Sequence, residues 1–159
     1  MTIQPLAIGD SIPDFQTTDE AGQEYSSKLL RGSPVIIYFY PRDNTPGCTL
    51  QACDLRDNYE HFLKIPITIL GISGCSLDSH QKFKTKNTLP FPLLLDEDHR
   101  IAKSFGVWGE KKFMGKSFEG IHRTTFVISK TGLILKSHLK VKPALHSSMV
   151  LEDVRNLEF

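Results

Sequence analysis

Short apolar runs alternate with amphipathic stretches along the chain, and that alternation sets out its elements. Residues 35–40, Val-Ile-Ile-Tyr-Phe-Tyr, form an unbroken apolar run of strand length, suited to burial on both faces of a sheet. Residues 67–72, Ile-Thr-Ile-Leu-Gly-Ile, read as a second buried strand, and 91–95 as a short third. Between them, 49–63 places Leu55, Tyr59 and Phe62 at helical spacing, while 77–87 is a polar helix carrying Phe83. Asp96 opens a further helix with Ile101, Ala102 and Phe105 on one face. Residues 124–129 and 133–139 are strands joined at Lys130-Thr131-Gly132, a hairpin signal, and 147–157 is a closing helix with Val150, Leu151 and Val154 inward. Ahead of all these, 12–17 and 23–26 flank Thr18-Asp19-Glu20-Ala21-Gly22 as an N-terminal hairpin.

Strand–helix–strand–helix order followed by a hairpin and a helix predicts an α/β sandwich with a mixed central sheet. No repeat, low-complexity tract or linker divides the chain, so residues 1–159 are expected to form a single domain. In such sheets chemistry gathers beyond the carboxyl ends of the parallel strands. Thr45-Pro46-Gly47-Cys48 follows one such end. Thr45 suits the N-cap and Pro46 the first helical position, which puts Cys48 at the third helical residue among unpartnered backbone N–H groups. An ordinary thiol is only roughly 3% thiolate at pH 7, and a helix N-terminus favours the anion. Two readings of Cys48 stand on these grounds: a reactive thiol, or a half-buried one that merely packs at a helix start.

Cys53 lies five residues further along the same predicted helix. Five helical residues advance about 7.5 Å and rotate about 140°. A disulfide needs its Cα atoms within roughly 6.8 Å and its Cβ vectors converging. A bridge from Cys48 to Cys53 therefore requires the first turns to unwind; alternatively, Cys53 is a small core residue on the buried face.

Composition narrows the function. Nineteen basic against eighteen acidic residues leave a net charge of +1, which selects for neither nucleic acid nor an anionic membrane. The glycines form no phosphate-binding fingerprint, and no run approaches the ~18 apolar residues of a membrane span. The chain's start lacks the basic flank and apolar core of a signal peptide, so a cytoplasmic location is expected. Three cysteines there are no disulfide scaffold, and no ligand spacing suits zinc; neither a metal nor a cofactor is expected.

The residues around Cys48 also carry a resemblance. Pro41, Thr45 and Cys48 fit the peroxiredoxin pattern Pro-x-x-x-Thr-x-x-Cys. The stretch Tyr-Pro-Arg-Asp-Asn-Thr-Pro-Gly-Cys-Thr-Leu-Gln-Ala-Cys resembles the subfamily called bacterioferritin comigratory protein or peroxiredoxin Q. The likeness continues through Leu70-Gly71-Ile72-Ser73, Leu94-Leu95-Asp96-Glu97-Asp98 and Phe105-Gly106-Val107-Trp108-Gly109-Glu110. It extends to Phe113-Met114-Gly115-Lys116 and Gly120-Ile121-His122-Arg123-Thr124-Thr125-Phe126-Val127-Ile128.

The resemblance implies a thioredoxin-like fold with an N-terminal β-hairpin extension, and thiol-dependent reduction of hydrogen peroxide and organic hydroperoxides. It implies Cys48 as the peroxidatic cysteine and Arg123 as the arginine that stabilises the thiolate and helps hold the peroxide. By the same likeness Thr45 hydrogen-bonds the substrate, Pro41 shields the sulfur from water, and Cys53 resolves the sulfenic acid into an intramolecular disulfide. Thioredoxin or glutaredoxin is the implied reductant, and a monomer the implied state.

Cys75 stands as an alternative resolver, because it opens a helix at the same end of the sheet; otherwise it is an idle exposed thiol. His122, if its strand alternates, points to the face opposite Arg123 and is structural or on the surface. Trp108, Phe113 and Phe118 are expected in an aromatic loop forming core or pocket wall, and Lys82, Lys84 and Lys86 on a solvated helix face. Two rivals remain: a non-catalytic redox switch or holdase, which needs only the thiols, and a thioredoxin-type reductase, disfavoured because Cys-x-x-Cys is absent.

Overall fold

In the computed structural model, residues 3–156 are described; Met1 and Thr2 at the chain's start, and Leu157 of the expected closing helix, lie outside them. The chain runs β1 (Gln16–Thr18), β2 (Glu24–Ser26), α1 (Ser27–Leu30), β3 (Val35–Phe39), α2 (Pro46–Asp57), α3 (Tyr59–Leu63) and β4 (Thr68–Ser73). It continues α4 (Leu77–Asn87), β5 (Leu93–Leu95), α5 (Arg100–Ser104), β6 (Trp108–Phe113), β7 (Lys116–Ile121), β8 (Thr124–Ile128), β9 (Ile134–Leu139) and α6 (His146–Asn156). A five-stranded sheet has the order β5-β4-β3-β8-β9. β3, β4 and β5 are parallel, and β8 and β9 antiparallel to their neighbours, so the central sheet is mixed as expected.

β3 shows why an unbroken apolar run belongs at the centre. Successive side chains point to opposite faces, and both faces are covered. Val35, Ile37 and Phe39 enter one apolar cluster with Leu70, Ile72, Phe126 and the Ile101 and Ala102 of α5. Ile36, Tyr38 and Tyr40 enter the other with Ala52, Leu55, Phe83 and the Val150 and Val154 of α6. Each large side chain so buried contributes roughly 1.5–3 kcal/mol. The predicted N-terminal hairpin is the separate pair β1–β2.

Three features depart from the sequence reading. The helix expected over 49–63 is two helices, broken at Asn58, whose side-chain amide donates to the Asp54 carbonyl instead of letting the helix run on. The expected aromatic loop is a second hairpin, β6–β7, turning through Met114 and Gly115 at positive φ. Phe113 and Phe118 on it are exposed and line no core, while Trp108 at its base stacks on His99 with ring centroids 4.0 Å apart. Among the lysines of α4, Lys84 leaves the solvated face to pair with the buried Glu20 at 2.9 Å, although Lys82 stays exposed. Among the described residues no helix is long and apolar enough to cross a membrane.

Candidate active site

Cys48 is buried (1% exposed) at the third residue of α2, beyond the carboxyl end of β3. Thr45 occupies the N-cap in extended conformation, and its carbonyl accepts from Thr49 N to start the helix. Its hydroxyl does not cap. It donates instead to the Arg42 carbonyl at 3.0 Å, closing the turn that passes through Asn44 at φ 62°. With Pro46 at the first position and no side-chain cap, the first-turn N–H groups around Cys48 remain available to an anion.

Arg123 reaches the same place from 75 residues away. The antiparallel register pairs Phe39 of β3 with Thr124 of β8, so the residue before Thr124 stands beside the end of β3. Its Nη2 donates to Cys48 Sγ at 3.4 Å. Gly47 makes this approach possible: a Cβ there would lie 3.1 Å from that same Nη2. The guanidinium thus sets a fixed positive charge and N–H donors against the sulfur.

The loop from Tyr40 to Thr45 is tied down from beneath through Asp43. Its buried carboxylate accepts from Tyr40 Oη at 2.6 Å, Ser79 Oγ at 2.8 Å and His80 Nδ1 at 2.6 Å. His80 Nε2 faces the Leu94 carbonyl at 3.0 Å, so both ring nitrogens meet oxygen partners. Burial alone would raise the Asp43 carboxyl, but the bonds and charge of His80, with Tyr40 and Ser79, hold it below the usual range. None of Tyr40, Asp43 and His80 was singled out in the sequence. His80 lies three positions before Phe83 and so shares its face of the helix, a spacing that could have marked it as inward.

On the other side of Arg123 lies a buried polar chain. Arg123 Nη1 donates to Gln51 Oε1, Gln51 Nε2 meets His146 Nδ1 at 3.2 Å, and His146 Nε2 meets Thr125 Oγ1 at 2.7 Å. Beside it a cavity of about 500 Å³ is lined by Arg123, His122, Lys111, Lys140, Ile3 and Leu139, among others. Burial, then the charge of Arg123, lowers the Lys111 amine from its ordinary range. His122 is not on an alternating strand: it sits in the link between β7 and β8, its Nε2 donates to the Glu110 carbonyl at 3.0 Å, and it lines the same cavity as Arg123.

The remaining thiols are free. Cys53 is half-buried on α2, its sulfur 3.7 Å from Asn87 Oδ1 at the end of α4, so it is not a fully buried core residue. Cys75 precedes α4 and accepts from Asp43 N at 3.3 Å, which makes it a half-buried, engaged sulfur and not an idle exposed one. Pro41 is half-buried at the start of the loop.

The fold and this thiol–guanidinium pair define a class. Residues 8–137 match the AhpC/TSA family, and the chain belongs to it. It is 41% identical over 157 residues to peroxiredoxin Bcp of Bacillus subtilis, spanning 99% of this chain and 98% of that one. To peroxiredoxin Bcp of Escherichia coli it is 43% identical over 149 residues, 94% and 96% of the two chains. A solved bacterioferritin comigratory protein of Xanthomonas campestris, studied for alkyl peroxide reduction, superposes with a TM-score of 0.84 at 34% identity over 89% of this chain and 90% of that one. The chain is thus a peroxiredoxin of the Bcp kind, a thiol-dependent peroxidase with a thioredoxin-like fold.

Proposed function

We propose that Cys48 is the peroxidatic residue of a cycle resolved by Cys53. The observation that carries this is the Arg123 guanidinium 3.4 Å from a sulfur seated in the first turn of α2. The Cys48 thiolate attacks the terminal oxygen of the peroxide; an S–O bond forms, the O–O bond breaks, and the departing alkoxide or hydroxide takes up a proton as alcohol or water. Charge spreads over the sulfur and two oxygens in that transition state, and fixed donors from Arg123 and the Cys48 backbone are placed to stabilise it. Thr45 Oγ1 already donates to a carbonyl, so it receives the peroxide O–H as an acceptor. Pro41 limits water at the sulfur.

The Cys53 thiol then attacks the Cys48 sulfenic acid, expelling water and forming the disulfide. A dithiol of the thioredoxin or glutaredoxin class reduces it, ending as a disulfide itself. Hydrogen peroxide and organic hydroperoxides are the substrates, with the organic group in the cavity beside Arg123; the alkyl peroxide activity studied in the Xanthomonas relative supports this. The enzyme works as a single-domain monomer in the cytoplasm. A switch or holdase needs no guanidinium on its sulfur, so the Arg123 contact favours turnover over that rival.

Peroxide consumption with thioredoxin and its reductase tests the assignment. Cys48→Ser is expected to abolish it, and Cys53→Ser to permit one stoichiometric oxidation without recycling. Turnover retained in Cys48→Ser overturns the reading.

A further inference from the structure

The Arg123–Gln51–His146–Thr125 chain fixes the orientation of the Gln51 amide and the tautomer of His146. Arginine has only donors, so Gln51 must present Oε1 to Arg123 Nη1 and thereby turn its NH2 group toward His146 Nδ1. That nitrogen must then be the bare acceptor, which leaves the ring proton on Nε2, donated to Thr125 Oγ1 at 2.7 Å. Gln51, His146 and Thr125 are each 0% exposed, so water cannot replace a lost partner. Tyr38 closes one side of the ring edge-on, with centroids 5.3 Å apart.

We propose that His146, the first residue of α6, is a positioning residue for the peroxidase reaction: its neutral Nε2–H tautomer orients Gln51, and Gln51 holds Arg123 against Cys48. The inference rests on the assignment of Cys48 and Arg123 made above. Burial, followed by the charges of His138 and Arg123, lowers the imidazole to about 3, which agrees with a ring kept neutral. A second proton on Nδ1 would set donor against donor at Gln51.

The chain also links the site to the proposed cycle. Gln51 lies between Cys48 and Cys53 on α2, so the unwinding that joins those sulfurs withdraws Gln51 from both Arg123 and His146. Reduction of the disulfide lets the helix, the amide and the guanidinium return together. His146 thus couples α6 to the folded, peroxide-ready form of α2.

The test is the single-turnover rate of thiol oxidation by hydrogen peroxide in full-length variants. His146→Leu, which removes the acceptor for Gln51, is expected to slow it about tenfold, the effect of losing one buried hydrogen bond in the transition state. His146→Asn, whose Oδ1 can accept from Gln51 in place of Nδ1, is expected to recover most of that loss, and Gln51→Ala combined with His146→Leu to be no slower than Gln51→Ala alone. Nitrogen-15 NMR of the wild-type ring, which needs no variant to fold, is expected to place the proton on Nε2. A proton on Nδ1, an unslowed His146→Leu, or His146→Asn as slow as His146→Leu overturns the inference. Arg123→Ala in the same assay separates the two levels: if it too is unslowed, the assignment of Arg123 fails, whereas if it alone is slow, only the role of His146 fails.

Discussion

The reactivity proposed for Cys48 rests on three features, each with a different physical task. Gly47 leaves space, Arg123 brings charge, and the helix start leaves N–H groups open. Arg123→Ala should slow oxidation by hydrogen peroxide about 10²-fold, the usual cost of removing one preorganised donor. Gly47→Ala sets two effects against each other. It removes a flexible residue from a helix, worth up to about 1 kcal/mol of stability, yet its Cβ would stand 3.1 Å from Arg123 Nη2 and push the guanidinium away. The expected result is a protein at least as stable by urea unfolding and about tenfold slower in peroxide oxidation, since a small displacement of a stabilising charge is costly there. Unchanged kinetics would show that the approach of Arg123 does not depend on the missing side chain.

At the scale of elements, α2 is the platform of the site and, in the proposed cycle, also the part that must come apart. Its start is held by Thr45 and Pro46, and its middle by Ala52 and Leu55 in the core. Asp54 accepts from Ser147 N at 2.6 Å and Ser147 Oγ at 2.8 Å, pinning the helix to the first turn of α6. Asp54→Ala should therefore loosen α2 against α6, read as faster amide exchange in both helices. The helix start was legible in the sequence because Thr-Pro-Gly-Cys carries local signals, and α4 was legible end to end because Ser76 and Asn87 bound a uniform polar stretch. The β6–β7 hairpin was not. Its faces are largely exposed, so no apolar alternation marks it, and Phe113 and Phe118 suggested burial that their environment does not provide. Arg123 was reached only through resemblance, and Asp43–His80 and Gln51–His146 were missed outright. Those partners are 37 and 95 residues apart, and only the packing of α4 beside the loop before α2, and of α6 against α2, brings them together.

For the molecule as a whole, buried His146 makes stability depend on pH in mild acid. His146 binds its proton only near pH 3 in the folded chain but near its ordinary value of about 6.5 once unfolded. The unfolded form therefore takes up more protons as pH falls below about 6.5, and stability drops by up to about 1.4 kcal/mol per pH unit. It is complete above that value and is lost progressively toward pH 3. Asp96, whose carboxyl is raised by burial against the bonds from Ile101 and Ala102, opposes this only at the acidic end, and the lowered carboxyl of Asp43 adds to the loss only there. Urea midpoints should fall between pH 7 and pH 5 by the equivalent of roughly 2 kcal/mol, and His146→Asn should flatten that slope. The fold holds its three thiols free. The central claim is that turnover unwinds α2 to join Cys48 to Cys53. Peptide mapping by mass spectrometry after one equivalent of peroxide tests it most directly: the account predicts a Cys48–Cys53 cross-linked peptide with Cys75 still alkylated as a free thiol, and a Cys48–Cys75 link, or no intramolecular disulfide at all, would contradict it.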